Sequence, residues 1–267
     1  MMKKHIPNFI TSLNLFCGCI SIVLALAGYQ YMWIAGIMIF VAAIFDFLDG
    51  LAARALHAYS EIGKQLDSLA DMVSFGIAPS IIAFQLLNTS IGKQDIFNPM
   101  SALEAIIQRQ GAVNFYATYS VSDFIITFSA FIIAIFSALR LAKFNIDTRQ
   151  TTSFIGLPTP ANAILFASLP LIVHFENSIM CNAIIFNTWI LLLLVVIQSA
   201  LLVAEIPLFS LKMKSLKWQE NKTRYIFLSL AIVLIVTLQF KAIPLVILLY
   251  IVSSIISNMV CKKSQTA

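Results

Sequence analysis

Charged residues are scarce in this sequence. Only 11% of its 267 residues are Asp, Glu, Lys or Arg, whereas a soluble domain carries about 25%. Hydrophobic residues make up 60% of the chain and come in long runs, such as 189–202, without the alternation of half-buried strands. These features exclude an ordinary water-soluble domain. They predict an all-α protein, a polytopic bundle of transmembrane helices.

Cysteine and histidine are also rare. The four cysteines and three histidines are scattered, with no CxxC pair and no Cys/His cluster, so neither a zinc site nor a disulfide framework is indicated. No internal repeat is visible, which weakens a transporter interpretation because many transporters are built from repeats. The net charge of +5 is explained by membrane topology, and no nucleic-acid partner is predicted.

The apolar runs predict about eight membrane spans in a single domain covering residues 1–267. The predicted spans are 7–28, 31–56, 63–88, 122–143, 159–176, 182–206, 225–240 and 242–260. With the N-terminus inside, Lys and Arg concentrate in the inner loops and ends, as the positive-inside rule requires. We therefore expect both ends in the cytoplasm, in a bacterial-type inner membrane, with an outward loop at about 89–121. A re-entrant hairpin in place of the last two spans stays open.

The first span also resembles a signal peptide. Two lysines precede its apolar run, and Ala25-Leu26-Ala27 follows. However, the run is long for a signal and contains Asn8, Thr11 and Asn14, which share one helical face because they recur at three-residue steps. A membrane span is therefore the preferred interpretation. The polar face is directed either toward a binding site or toward hydrogen bonds with other helices.

Four of the seven aspartates lie close together, namely Asp46, Asp49, Asp67 and Asp71. Residues three or four apart share a helical face, so each pair lines one side of its helix, and a short turn brings the two helices together antiparallel. Four ionised carboxylates in one pocket repel each other, and divalent cations relieve that repulsion. Oxygen ligands without His or Cys predict Mg²⁺ or Mn²⁺. Mg²⁺ held by carboxylates implies a phosphorylated substrate, and two ions could clamp both oxygens of a displacement at phosphorus.

Small residues and one arginine are interspersed with the aspartates. Gly50, Ala53 and Gly63 leave space for a ligand on the facing helix surfaces. Arg54 offers a planar pair of donors for phosphate. Taken one at a time, these residues are explained by close helix packing and by an arginine reaching the membrane interface. Their joint spacing around the aspartates favours a ligand site.

The stretch from Asp46 to Asp71 resembles the signature of the CDP-alcohol phosphatidyltransferase family, D-x2-D-G-x2-A-R-x8-G-x3-D-x3-D, at every fixed position. The resemblance implies that family's fold and two divalent ions held by Asp46, Asp49, Asp67 and Asp71. It implies that the CDP moiety is held by Gly50, Ala53, Arg54 and Gly63, and that Asp71 is also the general base. We expect Asn8 and Thr11 to face the diphosphate of the CDP-lipid.

Further blocks resemble the membrane-embedded branch of the family that uses serine. They are Pro7–Gly18, Leu66–Pro79, Leu139–Asn145 and Phe154–Ala161. The resemblance implies transfer of a phosphatidyl group from CDP-diacylglycerol to L-serine with release of CMP, by a homodimer in the bilayer. The alternatives are a sister enzyme that uses glycerol 3-phosphate or an inositol phosphate, a cation-coupled transporter and a non-catalytic scaffold. The phosphorylated acceptors would call for a denser cationic pocket.

Serine brings a carboxylate that needs a cation. Arg140 and Lys143, at the inner end of the fourth predicted span, are the predicted partners of this carboxylate. Ser68, Ser74 and Asn145 are predicted to add hydrogen bonds. Positive-inside anchoring is the alternative explanation for the two basic residues.

Overall fold

A computed structural model describes residues 5–92, 120–146, 154–176, 178–208 and 218–265. The described chain is almost entirely helical, which confirms the predicted all-α class. The outward loop predicted at about 89–121 lies mostly outside the described residues.

The helices are α1 (Ile6–Leu26), α2 (Met32–Ala55), α3 (Glu61–Asp71), α4 (Ala78–Ser90), α5 (Val121–Phe128), α6 (Ile132–Ile146), α7 (Thr159–Glu176), α8 (Ile179–Ile185), α9 (Thr188–Val203), α10 (Trp218–Leu238) and α11 (Ala242–Gln265). A π-helical turn, Met72–Ile77, joins α3 to α4, so the helix is continuous from Glu61 to Ser90. Two-residue strands, β1 (Phe154–Ile155) and β2 (Pro207–Leu208), pair antiparallel, with Phe154 opposite Leu208.

Several helix ends follow from local sequence. Pro7 stands in the first turn of α1, where its missing N–H costs no hydrogen bond. Gly28, at φ +131°, separates α1 from the helical turn that leads into α2. The Ser60 hydroxyl accepts a hydrogen bond from the Gly63 N–H and so caps α3. The Asn187 side chain caps α9 in the same way.

The centre of the bundle is formed by α4. In the apolar 18-residue stretch within Glu61–Ser90, 67% of the residues are buried, whereas only 11% are buried in the corresponding stretch within Arg224–Ile256. Ile82 and Leu86 of α4 are fully enclosed, as is Phe75 in the turn before it. Helices α1, α2, α7 and α9 surround α4. The pair α10 and α11 therefore lies at the periphery, with most of its apolar surface open to lipid.

Close approach of helix backbones holds the centre together. A Cβ added to Gly18 would lie 2.8 Å from the Cα of Ser74, and one added to Gly36 would lie 2.5 Å from the carbonyl oxygen of Ala167. In a bilayer, helices gain stability from such packing because lipid tails are as apolar as the side chains. These contacts fix α1 against the π-helical turn and α2 against α7.

The predicted count of eight spans is not confirmed. By length and composition, the described residues contain five helices able to cross a membrane, or six if α8 and α9, bent by 61° at their junction, form one span. Arg224–Ile256 is counted among them as one helix. However, α10 and α11 pack against each other on either side of Gln239, which has φ +48°. The 18-residue α7 does not meet this criterion of length and composition.

Candidate active site

The aspartates converge between the C-terminal halves of α2 and α3. One carboxylate oxygen from each of Asp46, Asp49 and Asp67 lies within 4.8 Å of the others. Asp71, one turn beyond Asp67, interacts directly with Asp46. The structure thus brings the four predicted metal ligands together, as the antiparallel arrangement of the two helices requires.

The most enclosed member of this cluster is Asp49. It is only 6% exposed, and its Oδ2 atom has no hydrogen-bond partner among the described residues. A buried carboxylate oxygen without a donor is costly unless a cation compensates it. The oxygen-only donor set and this uncompensated oxygen fit a divalent cation such as Mg²⁺ or Mn²⁺.

Asn14 links the cluster to α1. Its Nδ2 donates to Asp71 Oδ1 at 3.3 Å, and its backbone carbonyl accepts from the Ser74 hydroxyl at 3.0 Å. Asn14 is fully buried. The three-residue spacing of polar residues in the first span marked this position, but only the structure pairs it with Asp71.

A cavity of about 690 Å³ opens beside the cluster, within the size range of sites for small molecules. Asp49 and Asp67 form part of its wall. All six residues predicted to hold the CDP-lipid line it, namely Asn8, Thr11, Gly50, Ala53, Arg54 and Gly63. The structure thus brings these residues together, and their binding of the CDP-lipid stays a prediction.

The two glycines of the cavity have different surroundings. A Cβ added to Gly50 would meet no atom within 4 Å, so this position faces open space. A Cβ added to Gly63 would lie 2.9 Å from both Asn8 Oδ1 and Ser60 Oγ, so α1 and α3 approach closely there. Arg54 is held at the rim because its Nε donates to the Gly50 carbonyl at 2.9 Å.

Six further wall residues were not selected as site residues from the sequence, namely Pro7, Ala58, Tyr59, Ser60, Glu61 and Lys64. Tyr59, Ser60 and Lys64 all line the cavity, in the turn between α2 and α3 and in the first turn of α3. Lys64 adds a second cation near Arg54. Its position next to Gly63 was the available signal, but a lysine at a membrane interface is common without a ligand.

The continuous segment formed by α3 and the π-helical turn runs antiparallel to α6 beside the cluster. Three pairs mark their course: Gly76 with Ser137, Asp71 with Arg140, and Ser68 with Asn145. Residue numbers fall along one helix as they rise along the other. Arg140 therefore lies beside the aspartates, where its guanidinium interacts electrostatically with Asp71.

The other residues predicted to contact serine have varied surroundings. Ser68 and Asn145 hydrogen-bond each other, with Asn145 Nδ2 donating to Ser68 Oγ at 2.9 Å. The Ser74 hydroxyl donates to the Asn14 carbonyl oxygen of α1. The Lys143 side chain is exposed near the end of α6. Of this group, Arg140 is the buried cation next to the aspartates.

Apolar helices that enclose a carboxylate cluster and an adjoining cavity define an integral membrane protein with a candidate metal site. A family model described as CDP-alcohol phosphatidyltransferase matches residues 4–197. The chain belongs to the CDP-alcohol phosphatidyltransferase family.

Three similar proteins carry the name CDP-diacylglycerol–serine O-phosphatidyltransferase. The Bacillus subtilis protein is 34% identical over 170 residues, covering 64% of this chain and 75% of that protein. The Helicobacter pylori protein is 34% identical over 161 residues, covering 60% and 54%. The Saccharomyces cerevisiae protein is 33% identical over 195 residues, covering 66% and 59%. The chain thus spans less than two thirds of the length of the latter two.

Proposed function

We propose that this protein transfers the phosphatidyl group of CDP-diacylglycerol to the hydroxyl of L-serine, forming phosphatidylserine and CMP. The observation that carries the proposal is the carboxylate cluster, two members of which, Asp49 and Asp67, line a cavity of about 690 Å³ together with the predicted CDP-lipid residues. Family membership supports the phosphatidyl transfer, and the names of the similar proteins support serine as the acceptor.

The four aspartates would hold two ions of Mg²⁺ or Mn²⁺. When bound, such ions neutralise the diphosphate and the charge that develops on the leaving oxygen. Because α2 and α3 both contribute carboxylate ligands for these ions at the edge of the cavity, the diphosphate would lie between these two helices. This arrangement directs the nucleotide into the cavity and leaves the acyl chains to the bilayer.

The CDP moiety would lie along α2 between Gly50 and Arg54. The open space at Gly50 admits a flat group close to the helix backbone. Arg54 and Lys64 at the cavity wall supply donors for phosphate oxygens, and Asn8 and Thr11 complete the wall from α1.

Asp71 would act as the general base. The serine hydroxyl is a weak nucleophile near neutral pH, so a carboxylate that accepts its proton assists the attack. The new bond forms between the serine oxygen and the phosphorus that bears the lipid. The bond from that phosphorus to the bridging oxygen breaks, and CMP leaves with the electron pair. Asn14 orients Asp71 by donating to its Oδ1.

Arg140 would bind the carboxylate of serine. It is buried next to Asp71, so a carboxylate bound there keeps the hydroxyl of the same small molecule near the base. Ser68 and Asn145 lie further along the two helices as a hydrogen-bonded pair. Ser74 and Lys143 remain predicted contacts of secondary importance. A homodimer and a cytoplasmic orientation of the site are part of the same proposal.

Two other functions are weaker. A sister enzyme for glycerol 3-phosphate or an inositol phosphate would need more cations near Asp71 than Arg140 supplies. A cation-coupled transporter would place its ion site near the bilayer midplane, whereas this cluster opens onto a cavity lined by the turn between α2 and α3.

An acceptor panel tests the proposal. Purified protein in detergent is given CDP-diacylglycerol, a divalent cation and one acceptor at a time, and the lipid products are identified by mass spectrometry. We expect phosphatidylserine from L-serine and no comparable product from glycerol 3-phosphate or inositol phosphate. Product from glycerol 3-phosphate with none from serine would refute the proposed acceptor.

A further inference from the structure

Arg140 is fixed by a backbone carbonyl. Its Nε donates to the carbonyl oxygen of Leu157 at 2.9 Å, and one face of its guanidinium lies over the Phe144 ring at 5.4 Å. Its terminal nitrogens have no hydrogen-bond partner among the described residues, yet neither is fully enclosed. The edge that carries the two terminal nitrogens is therefore left free to bind a carboxylate with two parallel hydrogen bonds.

The carbonyl that holds Arg140 belongs to a turn anchored on another helix. The Leu157 N–H donates to the Leu201 carbonyl at 2.9 Å, and the Gly156 N–H donates to the Ile206 carbonyl at 3.0 Å. Leu157 is itself only 1% exposed. Both acceptors belong to the C-terminal end of α9 or the segment after it, so the turn is tied down on either side of the Gly156–Leu157 peptide.

Only glycine fits at position 156. Its φ of +77° lies in the left-handed region, which is unfavourable for residues with a Cβ. A Cβ there would also lie 2.7 Å from the Leu202 carbonyl oxygen and 2.9 Å from that of Ala204. Both contacts are with backbone at the end of α9, so neither can be relieved by a side-chain rotation. Any larger residue must shift the Gly156–Leu157 turn away from α9.

We infer that the Gly156–Leu157 turn contributes to specificity for the acceptor, because it positions the Arg140 guanidinium to receive the carboxylate of the acceptor. The inference rests on the proposed function, because it takes serine as the acceptor and Arg140 as its carboxylate partner. Gly156 is a positioning residue in this scheme, since it contacts neither substrate. It acts by allowing the turn to seat against α9, which sets where the Leu157 carbonyl holds Arg140.

The test is a comparison of Gly156→Ala with Gly92→Ala. Gly92 has nearly the same φ, +75°, but a Cβ there meets nothing within 4 Å. Alanine at position 92 therefore has the same unfavourable backbone conformation but no steric clash with neighbouring backbone. We expect Gly156→Ala to raise the KM for L-serine about tenfold, since small misplacements of a binding group have large kinetic effects. The KM for CDP-diacylglycerol should change by less than about twofold, and Gly92→Ala should leave both constants unchanged.

A double-mutant cycle with Arg140→Ala separates positioning from general damage. If Gly156 acts through Arg140, Gly156→Ala should not raise the serine KM further once Arg140 is absent. The inference is overturned if the serine KM of Gly156→Ala stays at the wild-type value. It is equally overturned if the two substitutions act independently, or if both KM values rise together with a lower thermal midpoint. Wild-type protein that forms no product from serine would instead refute the proposed function.

Discussion

At the residue scale, the different roles proposed for the carboxylates follow from their surroundings. Asp49 is the most enclosed and has an oxygen without a protein donor, which suits a metal ligand. Asp71 receives a hydrogen bond from Asn14 and lies beside Arg140. A hydrogen bond from a positioning amide and an electrostatic interaction with the proposed cation for the acceptor make Asp71 the carboxylate best placed to meet the serine hydroxyl.

Asp71→Asn should abolish turnover without preventing CDP-lipid binding. The amide keeps the size of the side chain but accepts no proton, and loss of a general base costs about 10²–10⁴-fold in rate. Serine-dependent CMP release and titration with CDP-diacylglycerol measure the two effects separately. The control is Glu176→Gln, which removes a carboxylate that pairs with Lys241 at the C-terminal end of α7. Wild-type turnover by Asp71→Asn would rule out the assigned base.

Gly50→Ala should separate stability from substrate binding. A methyl group there meets no protein atom within 4 Å, and alanine favours a helix over glycine by about 1 kcal/mol. The variant should therefore unfold at an equal or higher temperature, yet its KM for CDP-diacylglycerol should rise about tenfold because the methyl group occupies the cavity.

Thermal unfolding and initial rates at saturating serine provide both readouts. A wild-type KM for CDP-diacylglycerol would show that the nucleotide does not approach α2 at Gly50.

The residues that the sequence predicted best are those whose chemistry is unusual in a membrane. Four aspartates in an apolar chain demand an explanation, so Asp46 and Asp71 could be selected from spacing alone. Ser60 and Lys64 also line the cavity, but a serine before a helix and a lysine at an interface are ordinary. Their role depends on which way the first turn of α3 faces, and periodicity does not specify that.

At the scale of helices, the site depends on how closely α1 approaches the π-helical turn after α3. Gly18 meets the backbone of Ser74, and Ser74 in turn donates to the Asn14 carbonyl. The same contact region therefore sets the position of Asn14 relative to Asp71. The π-helical turn itself was not predicted, because its sequence, Met72–Ile77, has no feature that distinguishes it from an ordinary apolar helix.

Gly18→Ala should destabilise the protein and reduce turnover together. The added Cβ would lie 2.8 Å from the Ser74 Cα, so the helices must separate, at a cost of about 1–3 kcal/mol for overpacking. The same displacement lengthens the hydrogen bond from Asn14 to Asp71. Unfolding in mixed micelles and serine-dependent rates measure the two effects.

The matched control is Cys19→Ala, an exposed position on the same helix. Its stability should stay within about 0.5 kcal/mol of wild type. Equal effects of the two substitutions would contradict the importance of the α1 contact.

At the scale of the whole molecule, hydropathy predicted the class of fold but not the number of spans. The bend between α8 and α9 interrupts apolar sequence without any charged residue at the break, and the reversal at Gln239 is marked by a single one, Lys241. Composition alone therefore cannot distinguish one long span from two short ones. The arrangement of α2 and α3 was easier to predict, because a polar turn with a strong helix cap separates them.

The orientation of the bundle can be tested by cysteine labelling. In a background with all four cysteines replaced, Tyr59→Cys reports on the end of the molecule that carries the cavity, and Gln30→Cys reports on the opposite end. The concentration of basic residues predicts that the cavity faces the cytoplasm. A membrane-impermeant maleimide should label position 30 in intact cells and position 59 only after permeabilisation. The reverse pattern would show that the site faces outward.

The most direct test of the central claim is the yield of phosphatidylserine and CMP from purified protein, with and without a divalent cation. The account predicts equal amounts of the two products when CDP-diacylglycerol, L-serine and Mg²⁺ or Mn²⁺ are all supplied. It predicts no product after chelation, and none from Asp49→Asn in protein that remains folded. Undiminished phosphatidylserine synthesis by Asp49→Asn, or synthesis that persists in the presence of a chelator, would contradict a metal-dependent transfer at the four aspartates.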